Sequence, residues 1–311
     1  MISLTALMAG STGAGAMAPL LDAVGWRQWG PYARPWAVFA GFGMFQVFLS
    51  YLVCTPLETL RPLVRWQQRQ PMAADITYTF VVRLVIFPLV AFFEYDAARG
   101  LLDGFFSAHG IADWSALGWL SAATGAPVLG FVAGLVVLDF SDYWRHRLSH
   151  RFAWWYGIHS LHHAELQMTF WSDDRSHVLE DVITYAWLIA VALALGMPSH
   201  QFPFVILAFR LVGSVAHANT RFGYGWLGER LLISPQFHRA HHCPEIAGFR
   251  SCNFGTVFPV WDMLFGTADF SHRAVHTGDP GADSLLASGN WWQQQASGFR
   301  RMVKLARRHR A

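Results

Sequence analysis

Residues 114–150 read WSALGWLSAATGAPVLGFVAGLVVLDFSDYWRHRLSH. From Trp114 to Leu138 there is no charge, and then Asp139, Asp142, His146 and His150 follow within a few turns. An uncharged run of this length can cross the hydrocarbon core of a bilayer as a helix. His146 and His150 are spaced i,i+4, so a helix continuing to about Arg151 carries both on one face, with Asp139 and Tyr143 on the same stripe. Two imidazoles on adjacent turns converge on one metal ion, and Asp139 is placed to orient one of the rings. The stretch reads as a membrane helix that ends in half of a metal site.

The rest of the chain fits that reading. Its 311 residues are 53% hydrophobic and only 14% charged, with a mean hydropathy of +0.27. A soluble domain carries roughly 25% charged residues. The 15 Trp and 25 Phe exclude disorder, and three scattered cysteines (Cys54, Cys243, Cys252) exclude a disulfide scaffold. The net charge of +3 comes from a basic tail, so no nucleic acid is expected as a partner.

Further apolar runs extend from Pro35 to Cys54 and from Ile76 to Phe93, the second interrupted by Arg83 and Pro88. Val182 to Phe209 is split by Gly196-Met197-Pro198 and Pro203, the pattern of a tight helical hairpin. Arginines gather after the first run (Arg61, Arg65, Arg69), after the third (Arg145, Arg147, Arg151, Arg175) and in the tail (Arg300, Arg301, Lys304, Arg307, Arg308, Arg310). The segment after the second run is acidic, with Glu94, Asp96, Asp103 and Asp113 against Arg99. Positive segments stay in the cytoplasm. The expected fold is therefore an all-α integral membrane protein of about four transmembrane helices under a cytosolic helical cap. It divides into an N-terminal, membrane-lying segment over 1–34, one membrane domain over 35–267 and a polar basic tail over 268–311. Lys304 is the only lysine among 23 basic residues, an arginine bias that suggests a GC-rich bacterial genome, so the expected location is a bacterial inner membrane with the histidines facing the cytoplasm.

Eleven of the 15 histidines fall between His146 and His242. After His146 and His150 come His159-Ser-Leu-His162-His163 and His238-Arg-Ala-His241-His242, with His177 and His217 between them. On a helix the i, i+3 and i+4 positions share a face, yet His162 and His163 diverge by roughly 100° around the axis, so neighbours can serve different metals. Eight clustered imidazoles without a metal would be poorly solvated and mutually repulsive if protonated. Ten ligands are too many for one ion, whereas two ions with four or five imidazoles each use them all. Imidazole suits iron, copper, nickel or zinc.

These motifs resemble the fatty acid hydroxylase/sterol desaturase superfamily of membrane di-iron oxygenases. The resemblance rests on Asp142-Tyr-Trp-Arg-His146-Arg-Leu-Ser-His150, His159-Ser-Leu-His-His163 and Ser234-Pro-Gln-Phe-His238-Arg-Ala-His-His242. It extends to Asn253-Phe-Gly255 and to Trp261-Asp-Met-Leu-Phe-Gly-Thr267, and covers about Val128 to Thr267. Arg175-Ser-His177-Val-Leu-Glu180 is similar to an element in which proline stands at the place of Val178. The resemblance implies two iron ions held by His146, His150, His159, His162, His163, His238, His241 and His242, with His217 and His177 at less tightly defined positions. Asn253, Trp261 and Asp262 would pack the cap onto the ligand helices.

The implied chemistry is O2-dependent hydroxylation or desaturation of an unactivated C–H bond in a lipid. Asp139, Asp142, Asp173, Asp174 and Glu180 are the carboxylates near enough in sequence to tune such a site. No Gly-x-Gly-x-x-Gly motif or cluster-binding cysteine spacing supplies electrons, so a separate donor is expected, a ferredoxin, cytochrome or reductase. Two other classes remain open at this stage. One is a zinc-dependent membrane hydrolase; the other is a non-enzymatic metal-binding protein, although transport ligands normally lie at mid-bilayer.

Overall fold

The computed structural model describes residues 30–65, 72–90, 95, 97–111, 114–198, 201–244, 251–271 and 276–308. Residues 1–29 of the N-terminal segment, Arg69, Glu94, Asp96, Asp113 and residues 309–311 lie outside the described residues. Regular structure among the described residues is helical throughout.

Helix α1 is Gly30–Leu60 and α2 covers Met72–Val90. Both are long and apolar enough to cross a membrane. α1 presents Phe48, Tyr51 and Leu52 outward. A π turn, Val82–Ile86, interrupts α2 and turns Arg83 fully inward. There Arg83 donates to Asp174 Oδ2 at 2.7 Å and Asp173 Oδ2 at 3.2 Å, and to the hydroxyls of Ser50 and Ser214. An arginine is tolerated in an apolar helix when it faces the bundle interior with its charge paired.

After α3 (Ala97–Ala108), the uncharged run beginning at Trp114 does not form a single span. α4 (Ala116–Thr124) ends at Gly125, whose φ of 64° is a left-handed cap, and α5 (Pro127–Arg151) starts afresh with proline in its first turn. The two helices fold back on each other. Thr124-Gly-Ala-Pro127 is a helix stop followed by a helix start, which overrides the apolar content around it. The third expected crossing is therefore corrected to a short helix and a long one, and the long helix extends to His150.

α6 (Ala153–His163) follows after a sharp turn, then a 3₁₀ turn at Phe170–Asp174. α7 (Val178–Ala194) and α8 (Phe202–His217) are separated by the expected break at Gly196, but they do not form the tight hairpin read from the sequence: α7 packs mainly on α5, and α8 on α1 and the 3₁₀ turn. Their apolar faces meet α2 and α5 in one core that includes Phe87, Leu138, Leu188, Ile189, Phe202 and Ile206. The short α9 (Pro235–His241) is capped by the Ser234 side chain, which accepts from Phe237 N, and α10 is Val260–Leu264.

The region expected as a polar tail contains α11 (Trp291–Arg308), which lies along α6. The approach is so close that a Cβ on Gly157 would sit 2.4 Å from Met302 Cα. A helix that presents glycine there admits a neighbouring backbone that no other residue would. The tail thus supports the helix that carries three of the motif histidines.

Candidate metal centre

The ends of α5, α6, α8 and α9 meet at one level. His146, His150, His159, His163 and His241 form one group, and His162, His217, His238 and His242 form a second. Within each group the possible ligand atoms all lie within 4.8 Å of one another. His162 and His163, adjacent in the chain, fall into different groups because one helical residue turns the side chain by roughly 100°. The structure thus brings nine of the ten sequence-derived histidines together.

His177 is not among them. It caps the N-terminus of α7, where Nδ1 accepts from Leu179 N at 3.1 Å, and Nε2 lies 3.0 Å from Gln295 O on α11. Both ring nitrogens are engaged away from the centre, which corrects its place as a ligand.

Backbone carbonyls fix the tautomers. His146 Nδ1 lies 2.9 Å from Phe254 O, His241 Nδ1 2.7 Å from Cys252 O, His162 Nδ1 3.2 Å from Arg175 O and His217 Nδ1 2.8 Å from Gly213 O. A carbonyl only accepts, so the proton sits on Nδ1, and Nε2 presents a bare lone pair to the interior. In the first group all five Nε2 atoms are buried without a hydrogen-bond partner. In the second, Nε2 of His217 lies 3.2 Å from that of His162 and 3.1 Å from that of His238, and His238 and His242 approach to 3.2 Å. His162 and His217 therefore face each other with lone pairs, which is repulsive until a cation sits between them.

Protonation does not relieve this. Burial first, then the neighbouring imidazoles, hold His146, His150, His162, His163, His238 and His242 well below the ordinary histidine value. Burial brings His241 down to about 3. Neutral, convergent, unpartnered imidazoles fit borderline divalent metals, and neither group contains a thiolate.

The surrounding carboxylates differ in what they touch. Glu180 Oε1 is 3.3 Å from His159 Nδ1 and accepts from Arg145 Nη1 at 3.0 Å, while its Oε2 accepts from Trp155 Nε1 at 2.6 Å. Asp173 Oδ1 is 3.5 Å from His217 Nδ1. Asp142 pairs with Arg145 at 2.5 Å, and Asp174 with Arg83 and Arg210.

Asp139 orients no ring, contrary to the sequence reading. Its carboxylate accepts from Val257 N, Phe258 N and Trp261 Nε1 and thereby ties α5 to the loop before α10. Asp262 holds Phe254 N and Gly255 N at 2.8 and 2.7 Å, and the Asn253 amide donates to Phe237 O at 2.7 Å. Asn253 adopts φ 57°, a conformation that asparagine tolerates better than most residues. Together they aim the carbonyls of Cys252 and Phe254 at His241 and His146. No residue type marks a main-chain acceptor, so the sequence could not show these two.

A cavity of about 140 Å³ opens onto both groups, and its lining includes Leu188, Ile206 and Phe209 of α7 and α8. It gives the metal centre an apolar approach from the helices of the core.

Residues 131–267 match the family model for fatty acid hydroxylase. The ornithine lipid hydroxylase OlsE of Rhizobium tropici is 29% identical over 158 residues, 51% of this chain and 47% of that protein. Human alkylglycerol monooxygenase is 30% identical over 142 residues, 44% of this chain and 30% of that protein. A cholesterol 25-hydroxylase-like protein of Danio rerio is 24% identical over 235 residues, 72% of this chain and 88% of that protein. The chain spans less than half the length of the first two relatives. No solved structure matches it.

Proposed function

We propose, from the membership of residues 131–267 in the fatty acid hydroxylase/sterol desaturase superfamily, that this chain is a membrane-bound, O2-dependent oxidoreductase that hydroxylates or desaturates a lipid. The observation that carries the proposal is the pair of convergent imidazole groups beside a cavity, the five Nε2 atoms of the first group being buried without a hydrogen-bond partner. His146, His150, His159, His163 and His241 would hold one iron, and His162, His217, His238 and His242 the other. Bound there, the two ions supply reduction of O2 coupled to oxidation of an unactivated C–H bond.

The chain's own residues prepare that chemistry. The carbonyls of Cys252, Phe254, Arg175 and Gly213 keep four rings oriented, and Glu180 faces the outward nitrogen of His159. Partners of this kind raise ligand basicity and hold geometry. Leu188, Ile206 and Phe209 would guide an alkyl or ring carbon of the lipid toward the centre and exclude water from it.

α1 and α2 would cross the bilayer, with the α4–α5 hairpin and the helices α7 and α8 beside them. By the distribution of positive segments, the histidines would lie at the cytoplasmic face of a bacterial inner membrane. Electrons would come from a separate ferredoxin, cytochrome or reductase.

The test is elemental analysis of anaerobically purified protein together with O2 uptake and lipid profiling of cells with and without the gene. Two irons per chain and a new lipid alcohol or alkene, formed at the expense of O2, are expected. Two zinc ions with O2-independent turnover would overturn the proposal in favour of a hydrolase.

A further inference from the structure

We propose that Asp181 recognises the polar end of the substrate by accepting a hydrogen bond from a hydroxyl or ammonium group, so the cavity prefers lipids with such a donor to free carboxylates. This rests on the reading of the cavity as the lipid site. Asp181, Thr184 and Leu188 occupy successive turns on one face of α7, and all three line the cavity. The polar end of the recognition surface therefore lies directly above its apolar wall.

Most ionisable groups around the cavity are already engaged within the protein. Asp142 is held by Arg145 and by the Thr256 hydroxyl at 2.6 Å, and Glu180 by Arg145 and Trp155. Arg210 is occupied by Asp174 at 2.7 Å and the Tyr185 hydroxyl at 2.8 Å. Asp173 is held by Arg83. Asp181 differs. Its Oδ1 accepts from the Ser176 hydroxyl, but its Oδ2 is buried with no hydrogen-bond partner among the described residues. The residue is 7% exposed, so bulk water does not substitute.

A carboxylate oxygen shut away without a donor is costly, and a donor carried in by a ligand removes that cost. Burial pushes the Asp181 carboxyl up to about 7, so it acts as this acceptor above that pH, where a ligand carboxylate brings no donor and meets it as a like charge. Selection of the substrate end group thus follows from one oxygen atom, whereas the alkyl portion is read only by shape.

The test uses the full chain, metal-loaded and in detergent, at a pH of about 8.5 where Asp181 is ionised, and four probes: hexadecanol, hexadecylammonium, hexadecyl methyl ether and hexadecanoate. Affinity is read from quenching of intrinsic tryptophan fluorescence. Hexadecanol and hexadecylammonium are expected to bind roughly tenfold or more tighter than the ether, which lacks the donor, and hexadecanoate is expected to bind weakest. Asp181→Leu should erase the alcohol-over-ether preference. Asp181→Asn, which keeps an acceptor oxygen, should retain that preference while losing the advantage of the ammonium.

Equal binding of alcohol and ether by the wild-type protein overturns the assignment, and so does unchanged discrimination in a folded Asp181→Leu variant. The wild-type series needs no variant to fold. Wild-type protein that shows this binding order yet consumes no O2 with any lipid would overturn only the oxygenase reading. Protein that oxidises lipid without donor discrimination would overturn only the role of Asp181.

Discussion

Glu180→Gln probes the layer behind the metal ligands. The carboxylate is buried and accepts from Arg145 at 3.0 Å on one oxygen and from Trp155 at 2.6 Å on the other, with His159 Nδ1 3.3 Å from the first. Glutamine offers one oxygen for the two donors. With that oxygen toward Arg145, the new NH2 meets Trp155 Nε1–H; turned round, it meets the guanidinium and the His159 nitrogen. Either way donor faces donor in a site closed to water. Removing one partner of a buried charge pair costs about 3–5 kcal/mol. Arg145 keeps Asp142 at 2.5 Å, so the lower end applies, about 3 kcal/mol. At about 2–4 °C per kcal/mol, the melting temperature should fall by roughly 6–12 °C. Metal affinity at the group containing His159 should weaken by roughly ten- to a hundredfold. Detergent-purified protein would be melted at one fixed scan rate, since such unfolding is often irreversible, and its iron titrated out with a chelator. A variant that melts within about 2 °C of wild type and releases iron at the wild-type chelator concentration would refute the assignment of Glu180 as a supporting group.

Three further changes separate the parts of the centre. His162→Ala and His163→Ala, adjacent in the chain, should each lose metal from a different group, so Mössbauer spectra of the two iron-loaded variants should lack different components; identical spectra would contradict the split. Gly157→Ala gains about 1 kcal/mol of helix propensity but drives a methyl into Met302, an overpacking of about 1–3 kcal/mol or more, so the net effect should be a lower melting temperature and faster proteolysis of α11. A variant as stable as wild type, with α11 equally protected, would show that the two helices are not in contact. Asp139→Asn should destabilise by about 1–3 kcal/mol, because the amide cannot accept from all of Val257, Phe258 and Trp261, while wild-type iron content is retained at low temperature; loss of iron without loss of stability would return Asp139 to the ligand-orienting role.

The centre was more legible in the sequence than the fold was. Histidine spacing maps onto helix faces with little interference from tertiary context, and the divergence of His162 and His163 followed from helix geometry alone. His177 misled because capping a helix and binding a metal both use a ring nitrogen, and one motif permits either. The run from Trp114 to Leu138 misled because hydropathy averages over Gly125 and Pro127, which decide the backbone locally. Arg83 reads as an interruption in an apolar run, and only the distant Asp173 and Asp174 explain it. The tail reads as basic and polar because half of α11 faces solvent; its packing against α6 depends on one glycine in another segment.

The helices divide the labour unequally. α5 supplies histidines only to the five-histidine group, and α8 only to the four-histidine group. α6 and α9 supply both: His159, His163 and His241 to the first, His162, His238 and His242 to the second. Each of these short helices must hold two diverging sets of rings at once, so a shift in either disturbs both groups together. The heaviest bracing falls on these two. α11 packs along α6, and Ser234, Asn253 and the Cys252 carbonyl fix α9 from both ends. Asp139 and Asp262, which bind no ring, hold the loop that carries Asn253 and Cys252. The carboxylates on α5 and α10 therefore act on the metal centre through the position of α9, and any account of ligand geometry has to include them.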